Sequence, residues 1–142
     1  MVDQRFSTSV HIMTALAFGE CQDGTLMTSD ELAKSVRTNA TVVRRLVARL
    51  VEAKLLKAYK GKTGGIELAR GANAITLKDI YVASSGKALI NTRKKAPRKV
   101  CPVSCSMGEL MGDIIDGVER NSMKYLASIS LASLASKVKQ NA

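Results

Sequence analysis

The amino-acid order predicts a mainly α-helical chain with one small β-hairpin. Three observations carry that expectation. Apolar residues recur at three- and four-residue spacing along several stretches. A short helical stretch is followed, after a break of three residues, by a second one with a basic outer face, and a glycine-rich turn then separates two short runs of strand character. At 142 residues the chain has the length of one domain, and with 4% aromatic residues and no tryptophan its core must be aliphatic.

The first helix is expected from Arg5 to about Gly19, where Phe6, Val10, Met13 and Ala17, flanked by Ile12 and Leu16, fall at helical spacing. Gln22, Asp23 and Gly24 form a turn. Thr28 and Glu31 then have the spacing of a capping box, which opens a short helix from Ser29 to Val36. After Arg37–Asn39 a third helix runs from Ala40 to about Lys54. Val42, Val43, Leu46, Val47, Leu50 and Val51 make its apolar stripe, and Arg44, Arg45 and Arg49 fall mostly off it. Two short helices so joined are the pattern of a helix-turn-helix.

Strands at Leu55–Lys60 and Ile66–Arg70 flank the loop Gly61–Gly65, and a basic hairpin directly behind a helix-turn-helix is a wing. A fourth helix is expected from Thr76, its cap, to about Ser84. The run NTRKKAPRK has no apolar period and contains a proline, so it reads as a cationic connector. Met107, Leu110, Met111, Ile114, Ile115 and Val118 open a long amphipathic helix that Tyr125, Leu126 and Ile129 extend, and Ser130–Lys139 forms a shorter helical tail. The chain thus divides into a winged helix-turn-helix at 1–86, a basic connector with a cysteine pair at 87–106, and a long helix with its tail at 107–142.

Formal net charge is +10, and its distribution says more than its size. From Lys34 to Lys62 the basic residues face a single acid, Glu52; from Lys87 to Lys99 they face none; Glu109, Asp113, Asp116 and Glu119 make the later segment acidic. That polarity suits a polyanion at one end of the chain and a different task at the other. Gly61, Lys62 and Thr63 spell the end of a nucleotide-binding phosphate loop. The full pattern needs a glycine at position 56, where Leu56 stands, and a helix rather than a strand to follow, so the loop is read as the tip of the wing.

No apolar run approaches the length of a membrane span, and no charged-then-apolar leader is present, so a cytoplasmic location is expected. Three cysteines, Cys21, Cys101 and Cys105, do not read as a disulfide framework. Lys94, Lys95, Arg98 and Lys99 lie upstream of the CPVSC pair, and neighbouring cations favour the reactive thiolate, which makes Cys101 and Cys105 redox candidates with Cys21 as a third. The bland reading has both packed as small apolar residues. His11, the sole histidine, is expected to be structural, and no catalytic triad or metal cluster is visible, so the chain does not read as an enzyme.

The stretches RFSTSVHIMTALA, TSDELAKSV, TNATVVRRLVARLVEAKLL, GGIELAR and ITLKDIY, in this order over most of residues 5 to 81, resemble the Rrf-two family of bacterial transcription regulators, which includes the iron–sulfur cluster regulator and the nitrite-sensitive and cysteine-metabolism repressors. CPV before a long helix and SLASL near the end match more loosely. The resemblance implies a homodimer paired through its long C-terminal helices, here through Leu110, Met111, Ile114, Ile115 and Val118. It also implies a double-stranded DNA operator as partner and a repressor's role. The candidate DNA contacts are Thr28, Ser29, Thr38, Asn39, Ala40, Thr41, Arg44, Arg45, Lys57, Lys60, Lys62, Thr63, Gly64 and Gly65. Of the adjacent arginines, one reads bases while the other holds phosphate. The cysteine-metabolism branch implies an alternative, regulation by gripping a metabolic enzyme. Cluster-binding relatives carry three connector cysteines where this chain has two, so no cofactor is expected; an iron–sulfur cluster sensor, with Cys21 recruited as a further ligand, is the second alternative. Family members often have glycine where Arg37 and Lys54 stand, proline at Ala40, and a proline and an extra glycine where Lys62 and Thr63 stand. A non-glycine residue held left-handed costs about 1 kcal/mol.

Overall fold

The computed structural model describes residues 3–22, 26–85 and 96–141, with the backbone alone for 20–22. The elements are α1 (Arg5–Gln22), α2 (Ser29–Val36), α3 (Ala40–Glu52), β1 (Leu56–Tyr59), β2 (Gly65–Leu68), a single 3-10 turn (Ala72–Ala74), α4 (Leu77–Ser84), α5 (Pro102–Ala127) and α6 (Leu131–Asn141). This is the expected helical chain with one hairpin. Both ends of α2 and the starts of α1 and α3 fall where expected, while the ends of α1 and α3 and both ends of α6 differ by one to three residues, as fraying ends do.

Each helix of the N-terminal part starts where a side chain can satisfy its orphan amides. Thr28 accepts from the Glu31 N–H at 3.2 Å while Glu31 accepts from the Thr28 N–H at 3.4 Å, completing the capping box. Thr76 and Asp79 repeat the device at α4. Both positions expected to need glycine hold the left-handed conformation without one: Arg37 has φ 65° and Lys54 φ 62°. At Arg37 the turn is locked by two amides, those of Arg37 and Thr38, donating to the Ala33 carbonyl at 2.8 and 3.0 Å.

The core is aliphatic, as the composition requires. Ile12, Met13, Leu16 and Ala17 of α1 meet Leu32 of α2, Val43, Leu46 and Leu50 of α3, and Ile80 of α4. The hairpin is antiparallel, with Leu56 opposite Leu68 and Ala58 opposite Ile66; Leu56, Ile66 and Leu68 are buried, and Ala58 is exposed. A third segment braces it: Met27, just before α2, exchanges hydrogen bonds with Ile66 at 3.3 and 2.7 Å.

Two features depart from the sequence reading. The long helix begins at Pro102 rather than near Met107, because Cys101 caps it and proline is well suited to its first turn. Cys105 therefore lies inside the helix rather than in a connector; residues 86–95 of that connector, Lys94 and Lys95 among them, lie outside the described residues. The tail is also not peripheral. The Leu77 amide donates to Ile129 O at 3.0 Å and the Leu131 amide to Ile75 O at 2.8 Å, so the chain leaving α5 pairs with the segment before α4. From there α6 lies along α1, and Leu131 and Ala135 join the core. Leu131 is fully buried, so Leu131→Ala should cost roughly 2–5 kcal/mol of stability through lost burial and a residual cavity. Chemical denaturation of the full chain measures it, and a surface tail would lose almost nothing.

Candidate nucleic-acid interface

Burial of one side of α3 decides what its other side presents. Val43, Leu46, Val47 and Leu50 are buried, and at about 100° per residue Thr41 and Arg45 point nearly opposite them. Arg45 is exposed and has no ion pair among the described residues. Arg44 lies roughly 110° from the centre of the buried stripe, on one flank. Arg49, on the other flank, donates to Ser84 O at 2.9 Å and so ties α3 to α4 instead of facing outward freely.

Before α3 the chain presents Thr38 and Asn39. Asn39 is the N-cap of α3: its Oδ1 accepts from the Thr41 N–H at 2.7 Å, so the side chain counted as a candidate DNA contact has a structural duty first. Ala40, half-buried, opens the helix without the proline common in the family. Thr28 and half-buried Ser29 stand at the N-terminus of α2 beside the wing, held there by the neighbouring Met27–Ile66 bridge. A groove between α3 and the wing is lined by Ser29, Arg44, Val51, Tyr59 and Lys60.

The wing tip is a tight turn in which the Gly64 amide donates to Gly61 O at 3.0 Å, with Lys62 and Thr63 exposed at its apex. Gly61 sits at φ 99°, which a side chain rarely adopts, and a Cβ on Gly64 would overlap the Tyr59 carbonyl. Gly65 opens β2 and is buried. Lys57 lies directly across from Glu67 on the strand pair, while Tyr59 donates its hydroxyl to Glu67 Oε1 at 2.7 Å. That hydrogen bond, more than burial, raises the Tyr59 phenol above its ordinary pKa. Thr41, Arg44, Arg45, Lys60 and Lys62 are thus all exposed around one helix and one wing.

The cysteines lie at the start of α5. Cys101 is its N-cap, with Sγ accepting from the Ser104 N–H at 3.4 Å. Cys105 is exposed, and its Sγ donates to the carbonyls of Arg98 and Lys99 at 3.6 and 3.7 Å. Ser104 Oγ accepts from the Arg98 amide at 2.7 Å. The side chain of Cys21 lies outside the described residues. His11 is exposed rather than buried, and its Nε2 lies 3.0 Å from Ser35 Oγ.

Along α5, Val103, Met107, Leu110, Ile114, Val118 and Tyr125 are exposed. At about 100° per residue they fall within one narrow stripe. Ile115, expected on that stripe, is instead buried within the chain, on the same side of the helix as Leu126, which packs on the core. Met111 is half-buried between the two sides.

These features define a winged-helix transcription regulator rather than an enzyme. The chain belongs to the Rrf2 family, described as iron-dependent transcriptional regulators, which it matches over residues 2–137. It is 28% identical over 131 residues to YwnA of Bacillus subtilis (strain 168), provisionally named a helix-turn-helix-type transcriptional regulator, covering 92% of this chain and 94% of YwnA. Among solved structures it is similar to CymR (YrzC), the global cysteine regulator of B. subtilis, at TM-score 0.68 and 23% identity over 96% of this chain and 97% of CymR. It is also similar to IscR of T. potens, at TM-score 0.71 and 21% identity over 99% and 90% of the two chains. Among the described residues no group of three or more histidine, cysteine or carboxylate side chains could hold a metal ion, and Cys101 and Cys105 are two donors only.

Because Asn39 is committed to the helix cap, Asn39→Ala should lower stability by about 1 kcal/mol even without DNA, and Asn39→Asp should retain most of it. Denaturation of the free protein separates this from a purely DNA-contacting role, which would leave both variants as stable as the parent.

Proposed function

We propose that the protein is a homodimeric repressor that binds a double-stranded DNA operator, with α3 in the major groove and the wing on the adjacent backbone. The observation that carries this reading is the exposed set Thr41, Arg44, Arg45, Lys60 and Lys62 around α3 and the wing tip. Thr41 and Arg45 project farthest from the core and reach base edges; an arginine paired with guanine is worth about 1–3 kcal/mol of discrimination. Lys62, at the apex of a glycine-framed turn, meets phosphate, and Thr28 and Ser29 offer the N-terminus of α2 to the same backbone. Two such units are joined through the stripe Leu110, Ile114 and Val118 of α5, whose exposure in the single chain supports a partner of the same kind. No helix among the described residues is long and apolar enough to cross a membrane, and the regulator acts in the cytoplasm.

The test uses duplexes enriched by the protein from a random library, compared with scrambled duplexes. Lys62→Ala should weaken binding to both alike and reduce the salt slope by about 0.9 for each DNA-bound protomer, whereas Arg45→Ala should relax preference at one base pair of each half-site. Equal losses for both variants on both DNAs would sink this division of labour, and no duplex binding by the parent protein would sink the function itself.

Redox control is proposed for the thiol pair, supported by the exposure of Cys105 and the place of Cys101 as the cap of α5. Two thiols and one hydrogen peroxide give a disulfide and two waters, within the pair or between two chains. Drawing the Cys101 sulfur into a disulfide turns it away from the Ser104 amide, which weakens the cap and so loosens the first turn of the pairing helix. Titration of free thiols before and after peroxide, run beside DNA binding, should show both thiols lost and affinity changed; full oxidation with unchanged affinity ends this reading.

A further inference from the structure

One acid of the interface stands within reach of a recognition-helix arginine. Asp30, in the first turn of α2, places Oδ1 3.7 Å from Nη2 of Arg44 across the groove, and the two side chains are 73% and 61% exposed. We propose that Asp30 is a specificity-determining residue for DNA binding: it cancels the attraction of Arg44 for phosphate, so that affinity depends on the contacts of Arg45 and Thr41 with bases.

The inference rests on the DNA-binding reading above, and its physical basis is a difference of affinities. A lone arginine beside the groove neutralises whichever phosphate comes near, on any sequence, and releases a counterion as it does so. With a carboxylate 3.7 Å away, the same approach brings an anion toward an anion, and the gain is largely lost. In the free protein an exposed pair of this kind contributes little to stability. It acts when DNA arrives. Specificity rises when the competing, sequence-independent binding is made weaker, even if no contact with the right sequence improves. Position favours Arg44 for this treatment over Arg45. Arg44 is on the flank of α3 turned toward α2 and the wing, where the backbone of the duplex passes in the proposed pose, whereas Arg45 projects away from the core with no acid at hand among the described residues. Asp30 is not required by the fold of its own helix, since the capping box of α2 is made by Thr28 and Glu31.

The experiment compares the parent protein, D30N, R44A and the double variant D30N/R44A on a library-selected duplex and a scrambled one across a salt series. D30N should bind scrambled DNA roughly two- to fivefold tighter at low salt. Its salt slope should steepen by about 0.9 for each DNA-bound protomer, so that a fourfold rise in salt costs it roughly three- to fourfold more affinity per protomer than the parent. The ratio of selected to scrambled affinity should fall, and in the R44A background D30N should change neither DNA. An effect of equal size with and without Arg44 would overturn the proposal, because Asp30 would then act as one unit of net charge and not through its partner. Unchanged ratio and slope in D30N, with the parent still binding selectively, would overturn it while leaving the DNA-binding reading intact. Absence of duplex binding by the parent would remove both.

Discussion

The buried stripe of α3 is the constraint from which the rest of the interface follows. Val43, Leu46, Val47 and Leu50 can leave water only by facing α1, α2 and α4, and burying each such side chain is worth roughly 1.5–3 kcal/mol. Once that stripe is fixed, a helix of 3.6 residues per turn has no freedom left in where its polar residues point. Arg45 faces outward, Arg44 and Arg49 take opposite flanks, and each flank meets a different neighbour. Arg49 finds the C-terminal carbonyl of α4 and becomes a strut. Arg44 finds Asp30 and the groove beside the wing. Three arginines within six positions thus have three different surroundings without any of them having chosen its own.

The wing is held to that helix by backbone rather than by side chains. The two hydrogen bonds between Met27 and Ile66 join the residue that precedes α2 to the middle of β2. The N-terminus of α2 and the base of the wing are therefore joined directly, on one side of the groove. Arg37 and Lys54 bear the cost of the tight connections on either side of α3. Each holds a conformation that glycine would adopt freely. What the chain gains in exchange is two further exposed cations at the ends of α3, at positions where family members often have none.

Local signals in the sequence were strong wherever one residue's role depends on a neighbour three or four positions away. The capping box of Thr28 and Glu31, the stripe of α3, the cap at Thr76 and the glycine turn of the wing were all legible, because period and spacing encode them directly. What the sequence hid depends on contacts between distant segments. Nothing near Asp30 announces that it faces Arg44, and nothing in the tail announces that Leu131 belongs beside Ile75 and α1. Ile115 reads as part of the outer stripe because an apolar helix residue looks alike on either side; only the packing of Leu126 on the core says which side is which. The early start of α5 had one local clue, a proline following a cysteine, but cysteine is an uncommon cap and a connector was the simpler reading.

Those same placements give α5 two unlike ends. Its C-terminal half is anchored: Ile115 is buried, Leu126 and Ile129 pack on the core, and the next turn is bound to the segment before α4. Its N-terminal half, from Val103 to Ile114, exposes its apolar residues and begins at a cap made by a thiol. At 1.5 Å per residue the 26-residue helix is about 39 Å long, so the cap lies far from the anchored end. In the proposed redox response, chemistry at Cys101 would act on the half that carries Leu110 and Ile114 of the pairing stripe, away from the core of the winged helix. A regulator needs that separation, because a signal that melted the DNA-binding unit would destroy it, whereas one that alters only the free half of α5 changes how two units are held together.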